Sequence, residues 1–492
     1  MLKIYNTLTK FVEEFTPINP PNVGMYICGP TVYDFFHIGN ARTFVMADII
    51  RRYLEFKGYN VKYVMNLTDI DDKIIKKSIE EKISTNEVAD KYSGYFFEDL
   101  KRLRIKPATF YPKATEHIDE ILKMIKALVD NGSAYNIDGN VFYNVSSFKG
   151  YGKLSGKNIE DLEAGARVEV MEEKKNPLDF ALWKKSKPGE PYWQSEWGKG
   201  RPGWHIECSA MSCKHLGETF DIHSGGNDLI FPHHENEIAQ SEASNKKPFA
   251  KYWIHFGFLN INKEKMSKSL GNFFTARDVL SKYSAEAIRL FFAQAHYRGP
   301  IEFSDEFLDA AEKGLEKLKN LKVTIETALA KNKSGSKIEF DFKSFEDRFV
   351  TALDDDFNTP QAIAVIFDFV KEINRTIAEN ESLDVDFYNK VKDFLERTAG
   401  NVLGIIDFSI VESGTDAVLE NSIRQILQNY DSSLKEEETV SLDELITRLI
   451  MIRLEAKKEK NFQLADEIRK KLDEVGITLK DTKEGTDFIK RD

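Results

Sequence analysis

Residues 24–67 carry the pattern that most narrows what this chain can fold into. GMYIC (24–28) is a short apolar run of the length and content of a buried strand. The residues after it change period: Phe44, Val45, Asp48, Ile49 and Arg52 show the mixed faces of an amphipathic helix, which Lys57-Gly58 ends. VKYVMNL (61–67) reads as a second buried strand, and Thr68-Asp69 reads as the N-cap of a following helix. Strand, helix and strand inside about 45 residues form a βαβ unit, which predicts a parallel sheet.

A chain of 492 residues is long enough for roughly three domains of about 150 residues each. Its net charge of −11 and 41% hydrophobic content exclude a disordered chain and a basic nucleic-acid coat. A polyanion would need a local patch. Three cysteines exclude a disulfide scaffold and fit a reducing compartment. The start, MLKIYNTLTKF, has no apolar signal core, and no run of 18 apolar residues occurs. The expectation is a soluble, cytoplasmic protein with no membrane segment.

The periodicity predicts helix over 86–131 and a β-hairpin at 134–145 with Asp138-Gly139 at its turn. Residues of about 115–200 differ in style from their flanks and read as an insertion splitting the sheet domain. FDIHS (220–224) resumes a buried strand, followed by a Gly225-Gly226 loop and a helix from about Pro232. Beyond residue 303 the chain is a helical bundle. Ser441–Glu444 has capping-box spacing and opens a last helical piece, closed by a helix at 462–475 and a two-stranded segment. The expected fold is α/β: a doubly wound, Rossmann-type parallel sheet with an insertion, then a helical bundle and a small C-terminal α/β piece. The expected edges are 1–115 and 201–260 for the halves of the sheet domain and 116–200 for the insertion. A loop region at 261–310, the bundle at 311–410 and the C-terminal piece at 411–492 complete the division.

Two segments point to phosphate chemistry. His37-Ile38-Gly39-Asn40 stands where the first strand gives way to the helix. A helix start offers unpaired N–H groups and partial positive charge. Gly39 permits close approach, and His37 adds a donor, although a histidine before a helix, read alone, is more often a cap or a packed core residue. Lys265-Met266-Ser267-Lys268-Ser269-Leu270-Gly271 is a cationic loop whose lysines can follow charge moving to a leaving pyrophosphate. A solvated polar loop has the same composition. The two segments together, in this order, separate the readings.

A third group suggests a metal. Cys28, Cys208, His233 and Glu237 offer two thiolates, an imidazole and a carboxylate, a donor set for tetrahedral zinc. His233 and Glu237 are four apart and share one helix face. Single buried cysteines are common, however, and ligands so far apart in sequence have no diagnostic spacing. A zincin HExxH from His234-Glu235 fails, because position 238 is Ile238. Cys213 lies outside the pattern and reads as a small hydrophobe.

With these residues in place the chain resembles the class I aminoacyl-tRNA synthetases, whose signatures are HIGH and KMSKS, and within them the cysteinyl-tRNA synthetases. The resemblance runs through GMYICGPTVYDFFHIGN (24–40), NLTDIDDKIIK (66–76), GRPGWHIECSAM (200–211), FDIHSGGNDLIFPHHENEIAQSEA (220–243), EKMSKSLGNFFT (264–275) and DDDFNTP (354–360). Asn40 replaces the last histidine of HIGH; an amide can donate to a phosphate but carries no charge.

The resemblance implies ATP at the strand C-termini, with His37, Gly39, Asn40, Gly225, Gly226 and Lys268 around it, and His37, Lys265 and Lys268 as catalytic groups. It implies one zinc per chain on Cys28, Cys208, His233 and Glu237, to which the substrate sulfur binds. Gly29, Thr31, Trp204 and Asp228 would line the amino-acid pocket. The implied activity is activation of L-cysteine with Mg2+-ATP and transfer to tRNA(Cys), by a monomer in the cytoplasm. The alternative is a cysteine ligase of the same superfamily acting on an amino sugar. The carboxylates of Asp69, Asp71 and Asp72 are explained by the dipole of a helix start.

Overall fold

The computed structural model describes residues 1–158, 174–261, 264–265, 274–331, 335–380, 382–408, 423–424, 426–427, 430, 442–481 and 486–490. Its centre is a four-stranded sheet, all parallel. β1 (Asn22–Ile27) leads into α1 (Ile38–Phe56) and β2 (Asn60–Met65). After the inserted segment come α2 (Trp204–Leu216), β3 (Phe220–Gly226), α3 (Glu235–Asn245) and β4 (Ala250–Phe256). The strand order is β4-β3-β1-β2. The chain therefore leaves β1 toward one edge and β3 toward the other. The boundary between them is a topological switch point, where open α/β sheets place their ligands.

The expected βαβ unit is present. α1 stops where Gly58 takes φ +88°, a conformation that costs a residue without Cβ little. Tyr26, Ile27, Val64, Ile222 and Ile254 fill the sheet interior.

Four local expectations change. Asp71, and not Thr68-Asp69, caps the next helix (Asp72–Glu81) by accepting the Lys73 N–H. Thr68 is spent on pairing with the loop after β1, through Thr68 N–H to Pro30 O (3.1 Å) and Val32 N–H to Thr68 O (3.1 Å). Asp69 instead accepts the Thr115 N–H at 3.0 Å. The predicted helix over 86–131 is two, Thr85–Arg102 and Ile118–Asp130. Arg104 takes a positive φ between them, and Pro107 and Pro112 cannot continue a helix. Gly225 and Gly226 are the last residues of β3 and not a loop. α3 begins at Glu235, after a wide turn at Ile230–His234.

The segment from 134 to 202 forms a five-stranded antiparallel sheet. Its first hairpin (Ala134–Ile137 with Asn140–Tyr143) turns at Asp138-Gly139, both at positive φ, as a two-residue hairpin requires. Long helices follow at Asp305–Lys331, Phe342–Asp354, Thr359–Glu379 and Val385–Leu395. Asp341, Asn358 and Asp384 cap the last three through their side chains. The chain divides into two compact units, Met1–Ile406 and Asp407–Asp492. The second contains helices Leu442–Lys458 and Phe462–Glu474 and a hairpin (Ile477–Asp481 with Thr486–Lys490), around Leu445, Leu449, Ile468 and Leu472. Among the described residues no helix is long and apolar enough to cross a membrane.

Candidate metal centre and the adjoining cavity

At the switch point the strand ends open onto a cavity of about 300 Å³. One wall is Cys28, Gly29 and Thr31, after β1; another is His37, Gly39 and Asn40, at the head of α1. Gly226, Asp228 and Trp204 close a third side, and Phe256–Leu259, leaving β4, a fourth. Gly29 has a specific reason to lack a side chain: a Cβ there would lie 1.8 Å from the carbonyl oxygen of Asn66. Its N–H donates to Asn66 Oδ1 at 2.8 Å, so this wall is pinned to the loop after β2.

Behind Cys28 lies the metal candidate. The ligand atoms of Cys28, Cys208, His233 and Glu237 all fall within 4.8 Å of one another, and all four residues are buried. Cys28 follows β1, Cys208 projects from the middle of α2, His233 sits in the turn before α3 and Glu237 in its first turn. His233 thus precedes the regular helix, yet its Nε2 stays 3.1 Å from Glu237 Oε1. Cys28 Sγ is 3.9 Å from Cys208 Sγ and 3.4 Å from Glu237 Oε1. Tetrahedral zinc with bonds of about 2.3 Å to sulfur and about 2.0–2.1 Å to nitrogen or oxygen gives ligand separations of about 3.8, 3.5 and 3.3 Å for the same pairs. The residues fit the ion.

A second overlapping group, Cys28, His223, His234 and Glu237, meets the same distance criterion. The first is the one beside the cavity: Trp204, which lines it, packs its ring 4.2 Å from that of His233. His223 and His234 support the site from behind. His223 Nε2 meets Glu237 Oε2 at 2.9 Å, and His234 Nδ1 meets His255 Nε2 at 2.8 Å. His205 Nδ1 meets His233 Nδ1 at 2.8 Å. Such outer hydrogen bonds set ring orientation and tautomer.

The charges are arranged for a cation. Burial pushes the Cys28 thiol up, whereas the S–H of Cys28 holds Cys208 down at about 6. Burial works against the charge on Glu237, but His223 and His233 outweigh it and hold the carboxyl at about 2. Burial also opposes protonation of His233, but Glu237 and Cys208 carry it up to about 10. Burial, with His223 adding to it, brings His255 down to about 3 against the weaker pull of Glu237.

The head of α1 is more occupied than its sequence suggests. His37 is the N-cap, its Nδ1 accepting the Asn40 N–H at 3.1 Å. That bond needs the lone pair on Nδ1, which places the proton of the neutral ring on Nε2. The Ile38 N–H donates to Phe274 O at 3.0 Å, and Ala276 N–H to Phe36 O at 2.9 Å. Two of the N–H groups expected to meet a phosphate are therefore already used. Gly226 faces Asp228, whose Oδ1 lies 2.4 Å from where a Cβ would stand, while Gly225 faces the His234 ring and not the cavity. Lys268 lies outside the described residues, and Lys265 is described only as part of a short strand pairing with Asn260. Cys213 is partly buried and accepts a hydrogen bond from Asn245 Nδ2 at 3.4 Å.

Pattern reasoning did not single out Asn66, Lys73 or the wall at Phe256–Leu259, nor the histidines at 205, 223 and 255. Lys73 lines the cavity from the start of the helix after β2. The one available signal was the density of histidine in FDIHS and GWHIEC.

The comparisons with known proteins follow the same lines. A family model described as the tRNA synthetases class I (C) catalytic domain matches residues 14–313, and a DALR domain model matches 348–407. The chain is 50% identical over 490 residues to a cysteine--tRNA ligase of Clostridioides difficile, covering 98% of this chain and 99% of that one. It is 51% identical over 495 residues to a cysteine--tRNA ligase of Thermodesulfovibrio yellowstonii, covering 99% of both. Among solved structures, Mycobacterium tuberculosis methionyl-tRNA synthetase in complex with methionyl-adenylate superposes with a TM-score of 0.59 at 15% identity, over 77% of this chain and 89% of that one. That likeness concerns the fold.

Proposed function

The chain belongs to the class I cysteine--tRNA ligases, and from that premise we propose how its residues divide the work. The enzyme activates L-cysteine with ATP and transfers the cysteinyl group to the 3′ end of tRNA(Cys). The observation that carries the assignment of parts is the Cys28–Cys208–His233–Glu237 group opening onto the cavity at the switch point. Near end-to-end likeness to cysteine--tRNA ligases speaks for tRNA over the amino-sugar acceptor.

Cys28, Cys208, His233 and Glu237 hold one zinc. Bound there, zinc supplies a soft Lewis acid that takes a thiolate far better than an alcohol. A purely apolar pocket would separate such near-isosteres by only about 1–3 kcal/mol. Gly29 and Thr31 give the substrate its floor, Trp204 packs across it, and Asp228 receives its ammonium. ATP enters as its Mg2+ complex over the head of α1, with Gly39, Asn40 and Gly226 on the nucleotide side, while Gly225 is turned to the His234 ring.

In the first step a carboxylate oxygen of cysteine attacks the α-phosphorus in line, and the bond to the bridging oxygen of pyrophosphate breaks. His37 donates from Nε2 to a phosphoryl oxygen, and Lys265 and Lys268 follow the charge onto the β and γ phosphates. In the second step the terminal ribose hydroxyl attacks the carbonyl carbon, AMP leaves, and its phosphate oxygen accepts the hydroxyl proton. The catalytic region is 1–115 with 201–260, interrupted at 116–200. Residues 261–310 meet the tRNA stem, 311–410 and 411–492 its lower arm. The enzyme works as a cytoplasmic monomer.

Pyrophosphate exchange with cysteine against serine, beside a metal assay on the same preparation, tests the reading. Exchange specific for cysteine in protein with one zinc per chain is expected. Equal exchange with serine, or cysteine preference in metal-free protein, would overturn it.

A further inference from the structure

Arg42 is the fifth residue of α1 and is wholly buried, so it does not line the cavity. Its guanidinium gathers four backbone carbonyls. Nη1 donates to Gly257 O (2.8 Å) and Phe258 O (2.9 Å), and Nη2 to His296 O (3.2 Å) and Gly299 O (2.6 Å). Its Nε has no partner, and among the described residues no carboxylate pairs with it. Arg289, also wholly buried, makes the contrast: it sits 2.8 Å from Asp48. A buried cation is ordinarily paired. Among the described residues Arg42 is solvated only by carbonyl dipoles, a positive charge behind the head of α1 with no carboxylate beside it.

Two of the four carbonyls it holds belong to a wall of the cavity. Gly257 and Phe258 line it, as do His37, Gly39 and Asn40 at the head of the helix that carries Arg42. The approach is tight enough that a Cβ on Gly257 would lie 2.1 Å from Gly299 O. The Gly257 N–H in turn donates to Tyr297 O at 2.8 Å. One side chain therefore ties the helix that carries one wall to the backbone of another and occupies two carbonyl oxygens of that wall. A planar fork of five donors suits this; an ammonium offers three donors around a point.

We propose that Arg42 is a positioning residue of the nucleotide pocket, a buried unpaired cation that sets the Gly257–Phe258 wall against the His37 end of α1 and favours a polyanion between them. The proposal rests on reading the cavity as the ATP site. In a site of low dielectric an uncompensated charge acts over the triphosphate more strongly than over the neutral parts of the substrates. Arg42 thus acts on ATP, and the thiol side of the pocket is spared.

The test compares Arg42→Lys and Arg42→Gln with the wild-type zinc enzyme in cysteine-dependent pyrophosphate exchange, below the melting temperature of each variant. The KM for ATP is expected to rise about tenfold in Arg42→Lys and further in Arg42→Gln, with the KM for cysteine and the zinc content within about twofold of wild type. Lysine recovers part of the loss because it keeps the charge. Unchanged KM values, both rising together, or loss of zinc would overturn the proposal. Failure of both variants to fold would assign Arg42 to the scaffold alone and overturn it equally. No exchange in the wild type would overturn the reading of the cavity, a distinct outcome.

Discussion

Of the four proposed zinc ligands, Cys28 and His233 are the two whose surroundings favour a bound proton at neutral pH before a metal arrives. Burial keeps the first a thiol, and Glu237 with Cys208 keeps the second an imidazolium up to about 10. Cys208, held near 6, and Glu237, near 2, are already anionic. Metal loading must therefore expel about two protons, and affinity should climb about a hundredfold per pH unit near pH 7. The sign is fixed: affinity rises with pH, because both departing protons come from groups whose pKa is raised. Calorimetry in two buffers of different ionisation enthalpy counts the protons directly, and a count near zero would contradict this inventory. Removing one thiolate is the sharper test at this scale. Cys208→Ser replaces a soft donor with a poor one, so zinc should be lost and the KM for cysteine should rise more than that for ATP. Atomic absorption and exchange kinetics on the same sample check both halves; retained zinc with unaltered KM values would refute the ligand role.

At the scale of the element, the proposed mechanism gives one ring at the head of α1 two jobs. His37 Nδ1 caps the helix while Nε2 is left carrying the ring proton. The jobs separate by substitution. His37→Ala should cost about 1 kcal/mol of stability for the cap and also slow adenylate formation. His37→Asn should restore the cap and the melting temperature but leave exchange slow; recovery of both together would mean that His37 is only a cap. The element scale also shows what a sequence reveals and hides. β1, α1 and the hairpin at Asp138-Gly139 were legible because period and turn chemistry act within a few residues. Thr68 was misread as a cap because its backbone is taken by Pro30 and Val32, partners that no local pattern names. The four candidate ligands were legible by residue type, and their convergence was not, since four separate elements deliver them. Asn66 and Arg42 left no signal at all: their work is done on backbone carbonyls and N–H groups, which every residue possesses.

Across the whole molecule, α1 is the member to which the later helices are tied, and this decides where the chain can be cut. Asp48 and Arg289 form a fully buried pair, and Arg289 also donates to Leu103 O (3.2 Å) and Leu403 O (3.0 Å). Tyr53 and Lys57 reach Asp354 at 2.7 and 3.0 Å, and Arg52 reaches Asn401 O at 3.2 Å. The helical region up to residue 406 is therefore one compact unit with the sheet, and the remainder is another. A chain ending at 313, where the catalytic family match stops, would keep the Asp48–Arg289 pair but remove Asp354, Asn401 and Leu403, leaving Tyr53, Lys57, Arg52 and Arg289 short of partners. Buried polar groups left without partners cost about 1–3 kcal/mol each, enough in sum to exhaust a margin of about 5–15 kcal/mol. The fragment 1–313 should be insoluble or molten. The fragment 1–406 should fold with a cooperative melt, bind zinc and keep cysteine-dependent exchange within about threefold of the full chain, because every described residue around the cavity and the metal group lies inside it. Its charging of tRNA(Cys) should fall about tenfold or more in kcat/KM if residues 411–492 contribute to the tRNA contact, since phosphate and loop contacts are lost while the chemistry is untouched. Exchange and charging measured on one preparation separate these effects. A fragment 1–406 that cannot melt cooperatively would show that the two units fold as one, and equal charging by fragment and full chain would remove 411–492 from tRNA recognition.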